Sequence, residues 1–74
     1  MQFTPDELVK VQAYLRDTFK NPALAVRPRS QTLDSIEILL NGEFLGLVYK
    51  TVEEGETSYD FNMSILDIDL PEVV

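Results

Sequence analysis

Thirteen carboxylates, six cationic side chains and no histidine or cysteine bound the chemistry open to this chain of 74 residues. Paired carboxylates can serve as general acid and base, but only where a pocket moves a pKa toward neutrality. Glu37 is the best placed of them: the strand register argued below sets it beside Gly46 and Asn62, and these three make a candidate small-ligand site. Asp67-x-Asp69 with Glu72, and the turn Glu53-Glu54-Gly55-Glu56, present hard oxygen atoms to a cation. Neither has EF-hand spacing and neither completes an oxygen shell, so both read as solvated acidic turns, and no metal or cofactor is expected. Ser30, Ser35, Ser58 and Ser64 lack a histidine to activate them. Without cysteine there is no thiolate nucleophile and no disulfide framework. No phosphate-cradling glycine loop and no nucleophile elbow occurs. The chain therefore reads as a non-enzyme.

The compact basic feature is Arg27-Pro28-Arg29. Together with Lys10, Arg16 and Lys20 it forms at best a modest basic side, so anion or RNA binding through Arg27 and Arg29 is the alternative function and nucleic acid is not the expected partner. The order of a helix followed by strands is shared with double-stranded RNA-binding domains, but their C-terminal basic helix has no counterpart here. Charge is split along the chain. Residues 1–29 carry five bases and three acids, a local +2, whereas residues 30–74 carry one base and ten acids, a local −9. Such asymmetry favours head-to-tail contact or a basic partner and says nothing about fold.

These side chains need elements to position them, and the chain is small. Area scaling for this mass gives about 4,600 Å² exposed when folded against about 12,000 Å² unfolded, so roughly 62% is buried. That suits a single domain over residues 1–74 with one sheet and one helix, for which oligomerisation is a ready source of extra stability. No apolar run approaches the ~18 residues of a membrane span. The N-terminal residues lack a signal peptide's basic and apolar regions, so a cytoplasmic location without membrane contact is expected.

Thr4-Pro5-Asp6-Glu7 starts the helix as a capping box, with Pro5 in the first turn and Phe3 and Leu8 as a hydrophobic staple. Leu8, Val11, Leu15 and Phe19 recur at helical spacing until Asn21-Pro22 stops them, which predicts a helix over about residues 5–20. Leu24 to Arg27 is a short first strand, probing no further than Pro28, and Arg29 to Asp34 reads as a loop. Ser35 to Leu40 is the second strand, closed by Asn41-Gly42, a strong two-residue turn signal. For the next hairpin, a three-residue loop Glu53-Glu54-Gly55 pairs Tyr49 with Tyr59, Leu47 with Phe61 and Leu45 with Met63. A two-residue loop would instead set Asp60 opposite Tyr49. The expected architecture is α+β: an N-terminal helix packed on one face of a four-stranded antiparallel meander.

In that register the core face holds Ile36, Ile38, Leu45, Leu47, Tyr49, Tyr59, Phe61, Met63 and Ile65. The other face, with no helix over it, should be polar. Asp60, Asn62 and Ser64 are, but Leu39, Phe44, Val48 and Leu66 are not, and Gly46 sits among them, where either sheet coiling or a close approach requires it. An exposed apolar patch rimmed by charge marks an interaction site. The expected function is therefore a protein-interaction module, most simply a homodimer through Leu39, Phe44, Gly46, Val48 and Leu66. The competing expectation is that the segment from Leu66 to Val74 folds back over the patch.

Several stretches carry a resemblance: Tyr14 to Pro22, Val26-Arg27-Pro28-Arg29, Gly42 to Gly46, Ser58 to Met63, and above all Ile65-Leu66-Asp67-Ile68-Asp69-Leu70. Together they resemble a family of small alphaproteobacterial proteins classed as a domain of unknown function, over about residues 3–70. The resemblance implies a bacterial cytosolic, stand-alone small protein and brings no catalytic or binding residues with it.

Overall fold

The structure, a computed structural model, describes residues 3–29 and 34–73. Most of the loop expected from Arg29 to Asp34, Ser30 included, lies outside the described residues. The first element is α1, Pro5–Thr18. Its capping box is complete: the Glu7 N–H donates to Thr4 Oγ1 at 3.2 Å, and the Thr4 N–H donates to Glu7 Oε1 at 2.8 Å. The helix ends two residues before the expected stop. Lys20 takes a left-handed φ of 52°, and the Asn21 N–H returns to the Arg16 carbonyl at 3.0 Å. This is the Schellman pattern of hydrogen bonds, with lysine where glycine is usual. Asn21 Oδ1 then accepts from the Ala23 N–H at 2.9 Å and turns the chain into the sheet.

The four strands are β1 (Leu24–Pro28), β2 (Ser35–Leu40), β3 (Glu43–Glu53) and β4 (Glu56–Asn62), paired antiparallel in the order β1-β2-β3-β4. The expected α+β meander is the one observed. Both β2–β3 and β3–β4 close through two-residue turns whose central residues have positive φ, Asn41 and Gly42 at 53° and 82°, Glu54 and Gly55 at 50° and 81°. The two-residue turn at Glu54-Gly55 corrects the expected three-residue loop. Glu53 faces Glu56, so Lys50 meets Tyr59, Val48 meets Phe61 and Tyr49 meets Asp60.

A second correction explains why this parity wins. β2 and β3 start in the expected register, Leu40 with Glu43 and Leu39 with Phe44, but a bulge at Leu45 shifts it, so that Ile38 faces Gly46 and Ile36 faces Val48. A bulge of one residue sends every later side chain to the other face. Val48 thereby joins Ile36 and Ile38 under the helix, and the two-residue turn is what brings Phe61 beside it. The two one-residue shifts compensate, and Tyr59 and Phe61 reach the face expected of them.

Leu15, Leu24, Ile36, Ile38 and Val48 are the buried core, with Phe3, Leu8, Val11, Val26, Leu40, Leu45 and Phe61 packed against it. Full burial of a side chain of this kind contributes about 1.5–3 kcal/mol. Leu47 and Tyr49, expected in the core, turn to the opposite face with Glu37 and Ser35, while Met63 and Ile65 lie beyond the end of β4 and are exposed. Phe19 caps the helix and is exposed as well. Gly46 has its own explanation. A Cβ there would lie 2.5 Å from the Asn62 carbonyl oxygen and 2.8 Å from the Phe61 ring, so the close approach that requires glycine comes from this chain's own β4.

The chain is extended for its size. Its radius of gyration is 13.8 Å and its extents are 48 × 24 × 23 Å, against about 11 Å for a compact chain of this length. It exposes 5927 Å², well above the ~4,600 Å² of the mass scaling.

Candidate functional site

On the sheet face turned away from α1, β2 and β3 contribute Leu39, Phe44, Leu47 and Tyr49. Beyond β4 the chain runs through a short 3₁₀ turn, Asp67–Asp69. This segment brings Ser64, Leu66 and Asp69 beside β3, and with Phe44, Leu47, Tyr49 and Asn62 they line a groove of about 400 Å³. Phe44 and Leu66 are each 58% exposed. The C-terminal segment therefore forms one wall of the groove and leaves it open. It also adds Ile68, Leu70 and Val73 to the exposed apolar surface. Asp69 and Asp60 supply charge at the rim. Such a groove can seat apolar side chains of a partner.

The expected interface residues divide here. Leu39, Phe44 and Leu66 lie on the open face. Val48, 2% exposed, is in the core under α1, and Leu47 and Tyr49 take the place assigned to it. Gly46 pairs with Ile38 and is closed over by Phe61 and the chain at Asn62, so it offers backbone to the groove and no room for a ligand. The bulge moved both residues, and nothing in the alternating pattern marks it.

The candidate ligand site at Glu37, Gly46 and Asn62 is not assembled. Leu47 stands between Glu37 and Asn62 in the cross-strand row, and Glu37 Oε1 accepts from Arg27 Nε at 2.6 Å. That ion pair also engages half of the candidate basic site. Arg29 Nη1 donates to Ser35 Oγ at 2.9 Å, and Arg16 Nε donates to the Leu24 carbonyl at 2.6 Å. Each of these guanidinium groups thus commits one of its five donors within the fold. Among the described residues no three acidic side chains converge as a metal site.

One polar cluster escaped the sequence reading. Glu7, in the first turn of α1, accepts from Lys50 Nζ at 2.7 Å through Oε1 and from the Tyr59 hydroxyl through Oε2. The Glu7 and Lys50 side chains are only 15% and 11% exposed. The Lys50 ammonium, the Tyr59 hydroxyl and the Thr4 amide together hold the Glu7 carboxyl down to about 2, and the Glu7 carboxylate raises the Tyr59 phenol above its usual value. Neither group is poised to exchange a proton near neutrality. The cluster braces the helix start onto β3 and β4. Its one available signal is charge: Lys50 is the single base after residue 29, and a cation on a core face needs a carboxylate.

The chain belongs to the family described as a protein of unknown function (DUF3126), which matches residues 7–69. No curated protein and no solved structure matches the chain. No helix among the described residues is long and apolar enough to cross a membrane.

Proposed function

We propose that this member of a family of unknown function is a non-catalytic binding module that meets a protein partner through the sheet face turned away from α1. A second copy of the chain is the simplest such partner. The observation that carries the reading is the groove of Phe44, Leu47, Tyr49 and Leu66, which stays open although the chain's own C-terminal segment reaches it. Apolar surface of this kind with a charged rim is the mark of an interaction site. The scale agrees: the surface exposed beyond the mass scaling is about 1,300 Å², against the ~800 Å² per partner of an ordinary stable interface. The acidic rim favours a basic partner or the cationic helix half of another copy.

Light scattering at micromolar concentration tests this with Phe44→Glu. Phe44 contributes nothing to the buried core, so the variant is expected to change association and solubility while the melting temperature stays within a few degrees. A wild-type chain that remains at monomer mass, with a Phe44→Glu variant equally soluble and equally stable, sinks the reading.

A further inference from the structure

We propose that β4 pairs with β4 of a second copy across a two-fold axis, joining two four-stranded sheets into one of eight strands. This surface is the sheet edge, not the face that carries Phe44, and a different observation supports it.

The two edges of the sheet are finished differently. At β1, α1 supplies the missing partners: the Val26 N–H donates to Gln12 Oε1 at 3.1 Å, the Leu24 carbonyl accepts from Arg16 Nε, and the strand ends in Pro28. Helix side chains and a proline are recognised means of blunting an edge against further pairing. β4 has none of them. In a hairpin closed by a two-residue turn, the residues flanking the turn exchange hydrogen bonds and the pattern then alternates. Glu56, Ser58, Asp60 and Asn62 therefore bond to β3, and Thr57, Tyr59 and Phe61 direct their N–H and C=O groups outward. Among the described residues these outward groups have no hydrogen-bond partner. The edge runs without proline and without a bulge.

Charge selects the register. An antiparallel pair joined through outward-facing residues can centre on Ser58, Tyr59 or Asp60. Centring on Ser58 sets Glu56 against Asp60 of the second copy, and centring on Asp60 sets the two Asp60 carboxylates against each other. Like charges directly opposite destabilise a strand pair. Centring on Tyr59 sets Thr57 against Phe61, Ser58 against Asp60, and Glu56 against Asn62, with no charge conflict. The central residue is also the best fixed: Tyr59 is held by Glu7 and packs against Phe3 at a ring-centroid distance of 5.8 Å. The geometry of the helix face agrees. A cleft of about 380 Å³ between α1 and β4, lined by Val11, Tyr14, Leu15, Val48, Tyr59 and Phe61, lies beside this edge. Pairing places Thr57 of the second copy against Phe61 and extends the wall of the cleft.

Analytical ultracentrifugation of the full chain, with circular dichroism to verify the fold, tests the pairing and its register. Wild type is expected to dimerise. Thr57→Pro removes an outward amide and no β3–β4 bond, and is expected to abolish the dimer. Ser58→Asp places a carboxylate opposite Asp60 of the second copy twice per dimer and weakens it by about tenfold. Adding Asp60→Lys to Ser58→Asp turns that repulsion into attraction and restores dimerisation to within about threefold of wild type. Phe44→Glu leaves the β4–β4 contact intact and removes only further association through the groove on the sheet face. A wild-type chain that is monomeric throughout overturns the proposal. So does a dimer indifferent to Thr57→Pro and Ser58→Asp, and so does one lost only in Phe44→Glu, which would place the contact on the sheet face instead.

Discussion

The two faces of this sheet are built from the same alternation of apolar and polar residues, yet one is sealed and the other is open. Under α1, Ile36, Ile38 and Val48 are buried, and the charged groups that share their face, Glu7 and Lys50, satisfy each other. On the far side Leu39, Leu47 and Tyr49 follow the same strands at the same spacing, and with Phe44 they remain wholly or partly exposed. Composition does not separate the faces. The helix does, by deciding which set of side chains loses its water, and the bulge at Leu45 decides which β3 residues belong to that set. An apolar residue becomes core only where a second layer meets it.

The largest expected effect measures that difference directly. Ile38 is fully buried, and Ile38→Ala is expected to cost about 2–5 kcal/mol through lost burial and the cavity left behind. Phe44→Ala removes a larger side chain from the open face and is expected to cost under about 1 kcal/mol. Urea denaturation of the two variants, at concentrations where the chain is monomeric, makes the comparison. Equal costs would mean that the open face is covered in solution, and would end the contrast between the faces.

The next effect tests the polar seal of the helix face. Glu7→Gln keeps the shape and the capping acceptor but removes the charge that faces Lys50 and Tyr59, at an expected cost of about 1.5–3 kcal/mol. The pH dependence has a definite sign. The folded-state pKa of Glu7 is lowered from 4.5 to about 2, so its contribution is complete above about pH 4.5 and is lost as pH falls from there through 2. The raised Tyr59 pKa acts at the other limit: that contribution is present below about pH 10 and is lost as pH rises through the higher folded-state value. Thermal melts from pH 5 to about 2 are expected to show a steep loss for wild type and a shallower one for Glu7→Gln. Parallel curves would remove Glu7 from the account of the seal.

Much of this architecture was legible because its signals are local. Thr4 to Glu7 specify a capped helix start within four residues, and Asn41-Gly42 specify a turn within two. The order of helix and strands follows from such punctuation. The second hairpin was not legible in the same way. Gly55 suits both the two-residue turn and the bulged three-residue loop, so turn chemistry alone leaves the register open, and the expected parity requires an unbroken β3. The bulge at Leu45 answers to tertiary geometry: it lets Val48 reach the core and lets β4 close over Gly46. The same displacement carries Val48 from the open face into the core and leaves Gly46 closed over by β4. The Glu7–Lys50–Tyr59 cluster joins positions more than forty residues apart, and no spacing rule connects them.

The smallest expected effect sits at the polar end of the open face. Arg27 Nε and Glu37 Oε1 are 2.6 Å apart, but their side chains are 55% and 24% exposed, so water screens most of the attraction. A double-mutant cycle of Arg27→Ala and Glu37→Ala is expected to give a coupling of about 0.5 kcal/mol, falling further as salt is added. The part-buried pair on the helix face, Glu7 with Lys50, should couple more strongly and respond less to salt. A coupling above about 1 kcal/mol for Arg27 and Glu37 would mean that this end of the face is shielded from solvent. With no helix over it, that shielding would have to come from another molecule, and the open groove beside Phe44 would then be only part of a larger contact.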